Sequence, residues 1–447
     1  MNIAYLTLGC KLNYAESSTY ERELEKLGHR SVSWNSAEAE AFLVNTCSVT
    51  EHSDKKCRNI VRKLHRLAPT APIFVCGCSA QLRKESLEAL DGVVRVFGAW
   101  EKGEIVRYIQ NYSQGVQACA SQSTSAQACA NQPTNATACD AECPNSAMFK
   151  AYSSGERTRS FLKVQDGCDY KCHYCTVPYA RGESRNAPIA DIIEQAREIA
   201  QTGIQEIVLT GVNTGDFGKT TNESFFDLLK ALEEVEGIER YRISSIEPNL
   251  LTEEIIDWIA SSSHKFLPHF HIPLQSGSDD ILSAMGRRYS QADFAHKIAY
   301  IRQKMGEDVF LGIDVIVGFP GESDAHFQET YQFLKEIIRP AFIHLFPYSK
   351  RPGTPAATMK NQVQDRLKTD RVAELEKLCK RLHGDFIEKQ IGQIRTVLFE
   401  SSDKNGFMYG FTENYIKIKA PYDARLVNRM VSLRINKENI CHEGEEA

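Results

Sequence analysis

A chain of 447 residues has length enough for roughly two to four domains. Hydrophobic residues make up 42% and charged residues 25%, as in a soluble globular protein, and no apolar run approaches the length of a membrane span. A formal net charge of −5 excludes a general electrostatic pull on nucleic acid, so RNA contacts must rest on local basic patches.

The first region alternates apolar runs with helical patterns. Ile3–Leu8, Ala41–Asn45, Ile73–Cys76 and Val93–Phe97 read as strands. Helices are expected at Tyr14–Leu27, Asp54–Leu67 and Leu82–Leu90, which implies a parallel sheet covered on both faces. The start Met1-Asn2-Ile3-Ala4-Tyr5-Leu6 reads as a strand and lacks the basic segment of a signal peptide, so a cytoplasmic protein with no membrane partner is expected. The run Lys55–Arg66 is basic without an acid and is a candidate grip for phosphates, or else a solvated helix face.

Ser113–Ser146 then carries a ten-residue repeat, with Cys119, Cys129 and Cys139 in phase among small and polar residues. Such a segment cannot bury a core, and a dispensable linker is expected rather than a metal site. After it, strand patterns recur at Phe161–Val164, Glu206–Leu209, Tyr241–Ile246, Phe270–Pro273, Phe310–Val317 and Phe342–Phe346, with helices between. These six βα units predict a barrel or partial barrel of parallel strands, whose function gathers at the carboxyl ends. A charged amphipathic helix is expected at Asp365–Gln390. Four short β-patterned runs, Thr396–Phe399, Phe407–Phe411, Tyr415–Ile418 and Met430–Ile435, predict a small closed antiparallel barrel.

The chain has 14 cysteines, and in a reducing compartment such a number points to metal or catalysis rather than disulfides. Gly167-Cys168-Asp169-Tyr170-Lys171-Cys172-His173-Tyr174-Cys175 contains C-x3-C-x2-C just after the first barrel strand. Three soft thiolates on one short loop suit a [4Fe–4S] cluster, and the missing fourth cysteine leaves one iron open for chemistry. Spacing and placement resemble the radical S-adenosylmethionine (SAM) superfamily. The resemblance implies that the open iron holds SAM and that an electron from the cluster frees a 5′-deoxyadenosyl radical. Gly211, Asn213, Ser244, Ser245, Glu247, Gln275, Asp314 and Gly318, all at strand ends, are candidates for the SAM cradle.

A second set, Cys10, Cys47 and Cys78, stands after three strands of the first region, where a parallel sheet brings strand ends to one edge. Buried apolar thiols are the alternative reading. Gly9-Cys10-Lys11-Leu12-Asn13, Asn45-Thr46-Cys47-Ser48-Val49, Gly77-Cys78 and Cys175-Thr176-Val177-Pro178-Tyr179-Ala180-Arg181-Gly182 resemble the methylthiotransferase family. Asp314–Glu322 carries the same likeness, and the C-terminal β region resembles a TRAM domain. The likeness covers nearly the whole chain apart from the insert. It points most to the branch acting on N6-threonylcarbamoyladenosine in tRNA, because the isopentenyladenosine branch typically has Gln-Met where this chain has Lys11-Leu12.

What that resemblance implies is an α/β protein of three parts. Residues 1–112 would form an N-terminal parallel sheet domain and 113–148 an insert. Residues 149–382 would form a radical SAM (β/α)6 partial TIM barrel, and 383–447 a small antiparallel TRAM barrel that binds RNA. Two [4Fe–4S] clusters are implied, on Cys168, Cys172 and Cys175 and on Cys10, Cys47 and Cys78, with Cys57 and Cys76 left out. The activity implied is insertion of a methylthio group at carbon 2 of the adenine at tRNA position 37, with SAM as methyl donor and radical source. An isopentenyladenosine tRNA or a ribosomal-protein aspartate is the alternative substrate. The partners implied are the tRNA anticodon loop and an electron donor such as flavodoxin or ferredoxin. Lys417, Lys419, Arg425, Arg429 and Arg434, with Phe407, Tyr409 and Tyr415, are the expected RNA contacts of the last region, although alternation puts some of these aromatics in its core.

Overall fold

In the computed structural model, residues 1–48, 50–121, 148–154, 158–401 and 403–441 are described. Five strands build the first domain: β1 (Asn2–Thr7), β2 (Arg30–Val32), β3 (Ala41–Thr46), β4 (Ile73–Gly77) and β5 (Val93–Val96). All pair in parallel, in the order β2-β1-β3-β4-β5. Helix α1 (Lys11–Lys26) and helix α5 (Ile105–Ser121) cover one face through Tyr20, Leu24, Ile105 and Ile109. Helix α2 (Glu51–Leu67) covers the other through Val61 and Leu64. Coverage on both faces explains why β3 is buried along its whole length and opens with the apolar run Ala41-Phe42-Leu43-Val44. The short helices α3 (Cys78–Leu82) and α4 (Lys84–Glu88) stand where one helix was expected.

Helix α5 continues through Ser121, past residue 113 where the linker was expected to begin. The apolar spacing of Ile105 and Ile109 carries the helix onto the sheet before the composition changes. Cys129 and Cys139 lie outside the described residues, as does the side chain of Cys119. Past the insert, Phe149 stacks on Tyr20 with ring centroids 5.1 Å apart, and Arg22 lies 3.8 Å over the ring of Tyr152. The chain therefore returns across α1 before entering the second domain.

The second domain opens with β6 (Arg159–Lys163) and a short antiparallel pair, β7 (Gln165–Asp166) with β8 (Arg185–Asn186). The remaining strands are β9 (Glu206–Thr210), β10 (Arg240–Ile243), β11 (His269–Gln275), β12 (Phe310–Val317) and β13 (Phe342–Pro347). They form two parallel groups of three, β6-β9-β10 and β11-β12-β13, joined by bridges Tyr241 to Phe266 and Ser245 to His271. No pairing joins β6 to β13 among the described residues, so the six strands make a partial barrel. A core of Leu162, Ile207, Leu209, Tyr241, Phe270 and Ile313 lies between these strands and the helices around them, and helix Asp365–Glu388 packs on β13.

The last domain is a four-stranded antiparallel sheet of β14 (Ile394–Phe399), β15 (Phe407–Thr412), β16 (Lys417–Pro421) and β17 (Met430–Arg434), in the order β16-β15-β14-β17. Its outer strands do not pair with each other; Ile418 bridges to Ile440 instead, so the expected closed barrel is a half-barrel. Its open side is filled by packing, because Val397, Phe399 and Ile418 bury against Phe310 and Phe386 of the second domain. The domain caps the amino ends of the barrel strands. Arg240 donates to the carbonyls of Thr396 and Phe411, and Arg242 to those of Thr412 and Glu413.

Candidate active site

The cysteine set of the first domain stands on the carboxyl edge of its three central strands. Cys10 follows β1, Cys47 follows β3 and Cys78 follows β4. Asn13 ties two of these ends together, its Nδ2 donating to Leu8 O at 2.8 Å and to Thr46 O at 2.9 Å. Gly9, with φ +100°, passes so close to Cys47 that a Cβ there would lie 2.9 Å from Sγ. Gly77, with φ +95°, lets β4 pass Thr46, whose carbonyl a Cβ would meet at 2.3 Å. Both are positions where a side chain is excluded by strain and by space. Cys57 and Cys76 are placed differently. Cys57 donates from within α2 to the carbonyl of Cys47, and burial pushes its thiol up to about 12. Cys76 sits in the core among Phe74 and Tyr20, its thiol pushed higher still by burial.

The second set lies on the loop between β7 and β8, which pin its two ends. Gly167, with φ +72°, starts the loop so close to Glu183 that a Cβ would meet the Glu183 carbonyl oxygen at 1.9 Å. Each sulfur accepts a hydrogen bond: Cys168 from Tyr170 N at 3.4 Å, Cys175 from Val177 N at 3.4 Å and Cys172 from Arg287 Nη1 at 3.2 Å. Burial pushes the thiols of Cys168 and Cys175 up to about 11 and about 12. The metal-free loop is thus preset with donors that favour sulfur carrying negative charge.

Arg181 reaches from this loop to the first set. It lies in helix Val177–Arg181, and its guanidinium donates to Asn13 Oδ1 at 2.5 Å, Glu16 Oε1 at 3.2 Å and Asp166 Oδ1 at 2.9 Å. It also hydrogen-bonds Cys78, whose thiol burial otherwise pushes up. Around it Lys102 and Lys163 pair with Glu16 at 2.8 and 2.9 Å, and Lys163 pairs with Asp166 at 2.6 Å. Burial alone would raise the two carboxylates. Lys102, Lys163 and Arg181 outweigh it at Glu16, as do Lys163 and Arg181 at Asp166, and both pKa values lie below the ordinary range. A second tie joins the domains beside Cys47, where Arg351 donates to Ser48 at 2.9 Å and to Asp54 at 2.6 Å.

The candidate SAM residues divide. Gln275 and Asp314 line a cavity of about 190 Å³ beside Cys175, walled by Thr50 of the first domain and Tyr348 of the barrel. Asn213 Nδ2 and Ser244 Oγ are buried without a hydrogen-bond partner in the protein, as residues awaiting a polar ligand would be. Glu247 is already held by Arg287. Ser245 bridges to His271, and its carbonyl accepts from Thr214. Gly211 packs on Gln165, whose Oε1 takes the amides of Val212 and Asn213. Gly318, with φ +77°, packs against the stem of Lys368, which would lie 2.4 Å from a Cβ, so its open side faces this chain's own side chain.

Inside the barrel, a cavity of about 390 Å³ is lined by Gly9, Cys10, Lys11, Arg159, Phe161, Arg242 and Tyr415 among others. A neighbouring cavity of about 470 Å³ shares Lys11, His269 and Tyr415 and adds Ser244, His271 and His344. His271 lies 2.6 Å from Asp314 and stacks on His344 with centroids 4.7 Å apart. Of the expected RNA-stacking aromatics, Phe407 is exposed, Tyr409 is buried and Tyr415 faces these cavities. Arg425 pairs with Asp423, Arg434 donates to the Gly392 carbonyl, and Lys55, Lys56, Arg62, Lys63 and Arg66 are exposed on α2. The sequence gives no role to Arg287 or Glu16, nor to Arg181 within its motif, because the partners that define those roles lie far along the chain.

Residues 162–334 match the family model described as the radical SAM superfamily, and residues 2–98 match Uncharacterized protein family UPF0004. The chain is 33% identical to "Threonylcarbamoyladenosine tRNA methylthiotransferase MtaB" of Bacillus subtilis, across 97% of this chain and 94% of that one. It is 34% identical to the protein of the same name in Aquifex aeolicus, across 94% and 96%. Identity to the "tRNA-2-methylthio-N(6)-dimethylallyladenosine synthase" of Alkaliphilus oremlandii is 32%, across 96% and 89%. Among solved structures, the fold is similar to that of the radical SAM methyltransferase TsrM from Kitasatospora setae, with a TM-score of 0.54 and 12% identity, across 90% of this chain and 79% of that one.

Proposed function

The chain belongs to the methylthiotransferase family of radical SAM enzymes, with [4Fe–4S] clusters and SAM as cofactors, and from that premise we propose that it inserts a methylthio group at carbon 2 of N6-threonylcarbamoyladenosine at position 37 of tRNA. Cys168, Cys172 and Cys175 hold one cluster and Cys10, Cys47 and Cys78 the other. The observation that carries this reading is Arg181, which lies in the helix that follows Cys175 and reaches across to Asn13 and Cys78, tying the loop of one cysteine set to the sheet edge that carries the other.

When bound, the clusters and SAM supply the radical that removes a hydrogen from an aromatic carbon and the methylated sulfur that replaces it. The residues of the chain do the positioning. Arg287 donates to Cys172 and holds Glu247 in place. Asn213 and Ser244 offer unsatisfied polar atoms to the adenosyl and methionyl parts of SAM, and Gln275 and Asp314 close the cavity beside Cys175. Thr50 of the first domain and Tyr348 of the barrel wall this cavity beside Cys175. The anticodon base is unpaired and enters the barrel interior, while the exposed bases of α2 and the last domain meet phosphates. The electron arrives from a flavodoxin- or ferredoxin-type donor, and the enzyme works in the cytoplasm. No helix among the described residues is long and apolar enough to cross a membrane.

The test is direct. Purified, iron-loaded enzyme with SAM and a reductant is offered tRNA bearing threonylcarbamoyl-, isopentenyl- or unmodified adenosine, and the nucleosides are read by mass spectrometry. Methylthiolation of the threonylcarbamoyl form is expected. Product on the isopentenyl form alone would move the chain to the sister branch.

A further inference from the structure

We propose that Lys11 is the residue that recognises the substrate's N6 substituent, its ammonium pairing with the free carboxylate of an amino-acid group on the adenine. This deepens the substrate reading above and rests on it. Lys11 follows Cys10 directly and its side chain is open to the interior cavities, lining both the 390 Å³ and the 470 Å³ space. Three cations approach the smaller cavity, and two are already engaged. Arg159 pairs with Glu400 at 2.7 Å, and Arg242 with Glu206 at 2.8 Å. Lys11 has no carboxylate in ion-pair contact among the described residues, and its Nζ lies 5.9 Å over the ring of Phe161. Lys11 is exposed, so a ligand entering these cavities can reach its ammonium with an anion of its own.

The geometry of the base points the same way. In adenine, carbon 2 and the exocyclic N6 lie on either side of N1. A base that presents carbon 2 to the Cys10 edge therefore carries its N6 substituent one ring-width away, inside the cavity that Lys11 and Tyr415 both line. A threonylcarbamoyl group ends in a carboxylate, which can take the ammonium as a charge-assisted partner. A dimethylallyl group has no charge and would enclose the ammonium unpaired, so the same lysine selects for one substituent and against the other.

The experiment compares two synthetic anticodon stem-loops, one with threonylcarbamoyladenosine and one whose threonine carboxylate is converted to the carboxamide. Iron-loaded wild-type enzyme is expected to bind the carboxylate form at least about tenfold more tightly, a difference of about 1.4 kcal/mol. Lys11→Met and Lys11→Gln should bind the two forms alike, and Lys11→Arg should keep the preference. Two neutral variants are used so that one folded protein suffices, and the wild-type comparison needs no variant at all. Equal binding of both forms by wild type, or a preference retained in a neutral variant, overturns the proposal. Turnover separates the failures. Methylthiolation of the threonylcarbamoyl stem-loop alongside equal binding overturns the lysine assignment alone. Turnover of an isopentenyladenosine stem-loop only overturns the substrate reading and the lysine assignment with it.

Discussion

Among single residues, Arg287 does what no backbone group does, placing a buried positive charge against one cluster sulfur. It donates to Cys172 at 3.2 Å, to Tyr289 Oη through Nε at 3.0 Å, and to Glu247. Burial pushes the Glu247 carboxyl above its ordinary range, with Arg287 opposing. Arg287→Met would leave that carboxyl without its partner and Cys172 without its donor. Reductive SAM cleavage should fall at least about tenfold, equivalent to about 1.4 kcal/mol, with an altered electron paramagnetic resonance spectrum of the barrel cluster. Arg287→Lys should restore part of both. An unchanged spectrum and rate in Arg287→Met would remove Arg287 from the site. The positions of the six cysteines, three on one loop and three after separate strands, were legible because spacing and strand-end placement are local features of the sequence. Arg287 was not, because it lies 115 residues from the sulfur it meets, and an arginine between Gly286 and Arg288 has no local pattern to mark it.

At the scale of elements, the cluster loop depends on one backbone turn. Gly167 combines φ +72° with a Glu183 carbonyl oxygen 1.9 Å from where a Cβ would sit. Gly306 shares a similar φ, +80°, at the end of helix Gln291–Met305, but nothing lies within 4 Å of its Cβ position. Gly306→Ala should therefore cost only about 1 kcal/mol of stability and keep full iron content. Gly167→Ala must also displace the strand pair that pins the loop. It should lose about four irons per chain while the first domain keeps its own cluster, as read by iron analysis and spectroscopy. Full iron in Gly167→Ala would show that the loop tolerates the shift. The strands themselves were readable from apolar runs and β-branched residues, including all six of the barrel. Four features were not: β2, only three residues long; the two-residue strands β7 and β8; α5, whose apolar face ends inside a polar repeat; and the open edge of the last sheet. Closure there is decided by Phe310 and Phe386 of another domain, which no local pattern reports.

In the molecule as a whole, the first domain and the barrel meet through a buried set of charges that does not balance by itself. Among the described residues, the ion pairs of Lys102, Lys163, Arg181 and Arg185 are with Glu16 and Asp166, four cations against two carboxylates. Negative charge on the Cys78 sulfur would further steady Arg181. Without metal, burial keeps the Cys78 thiol protonated and that compensation is lost. Anaerobic removal of iron should therefore lower the melting temperature, and Arg181→Gln should narrow the gap between iron-loaded and iron-free protein in calorimetry. An equal gap in both would show that the charges are balanced without the clusters. The same carboxylates set the acid limit. Their folded-state values are depressed, so their contribution is complete above the unfolded-state value of about 4 and is lost as pH falls through the folded one.

The reach of Arg181 into the first domain also bears on how such a protein could be rearranged. A domain transplanted from a relative would bring three sulfurs, but it would fit this barrel only if an Asn13 carbonyl and a Glu16 carboxylate arrived in register with the guanidinium. Chimeras that join halves at the insert keep each fold intact and can still sever this handshake. The portable unit is therefore the seam between the domains, with α1 and helix Val177–Arg181 exchanged together.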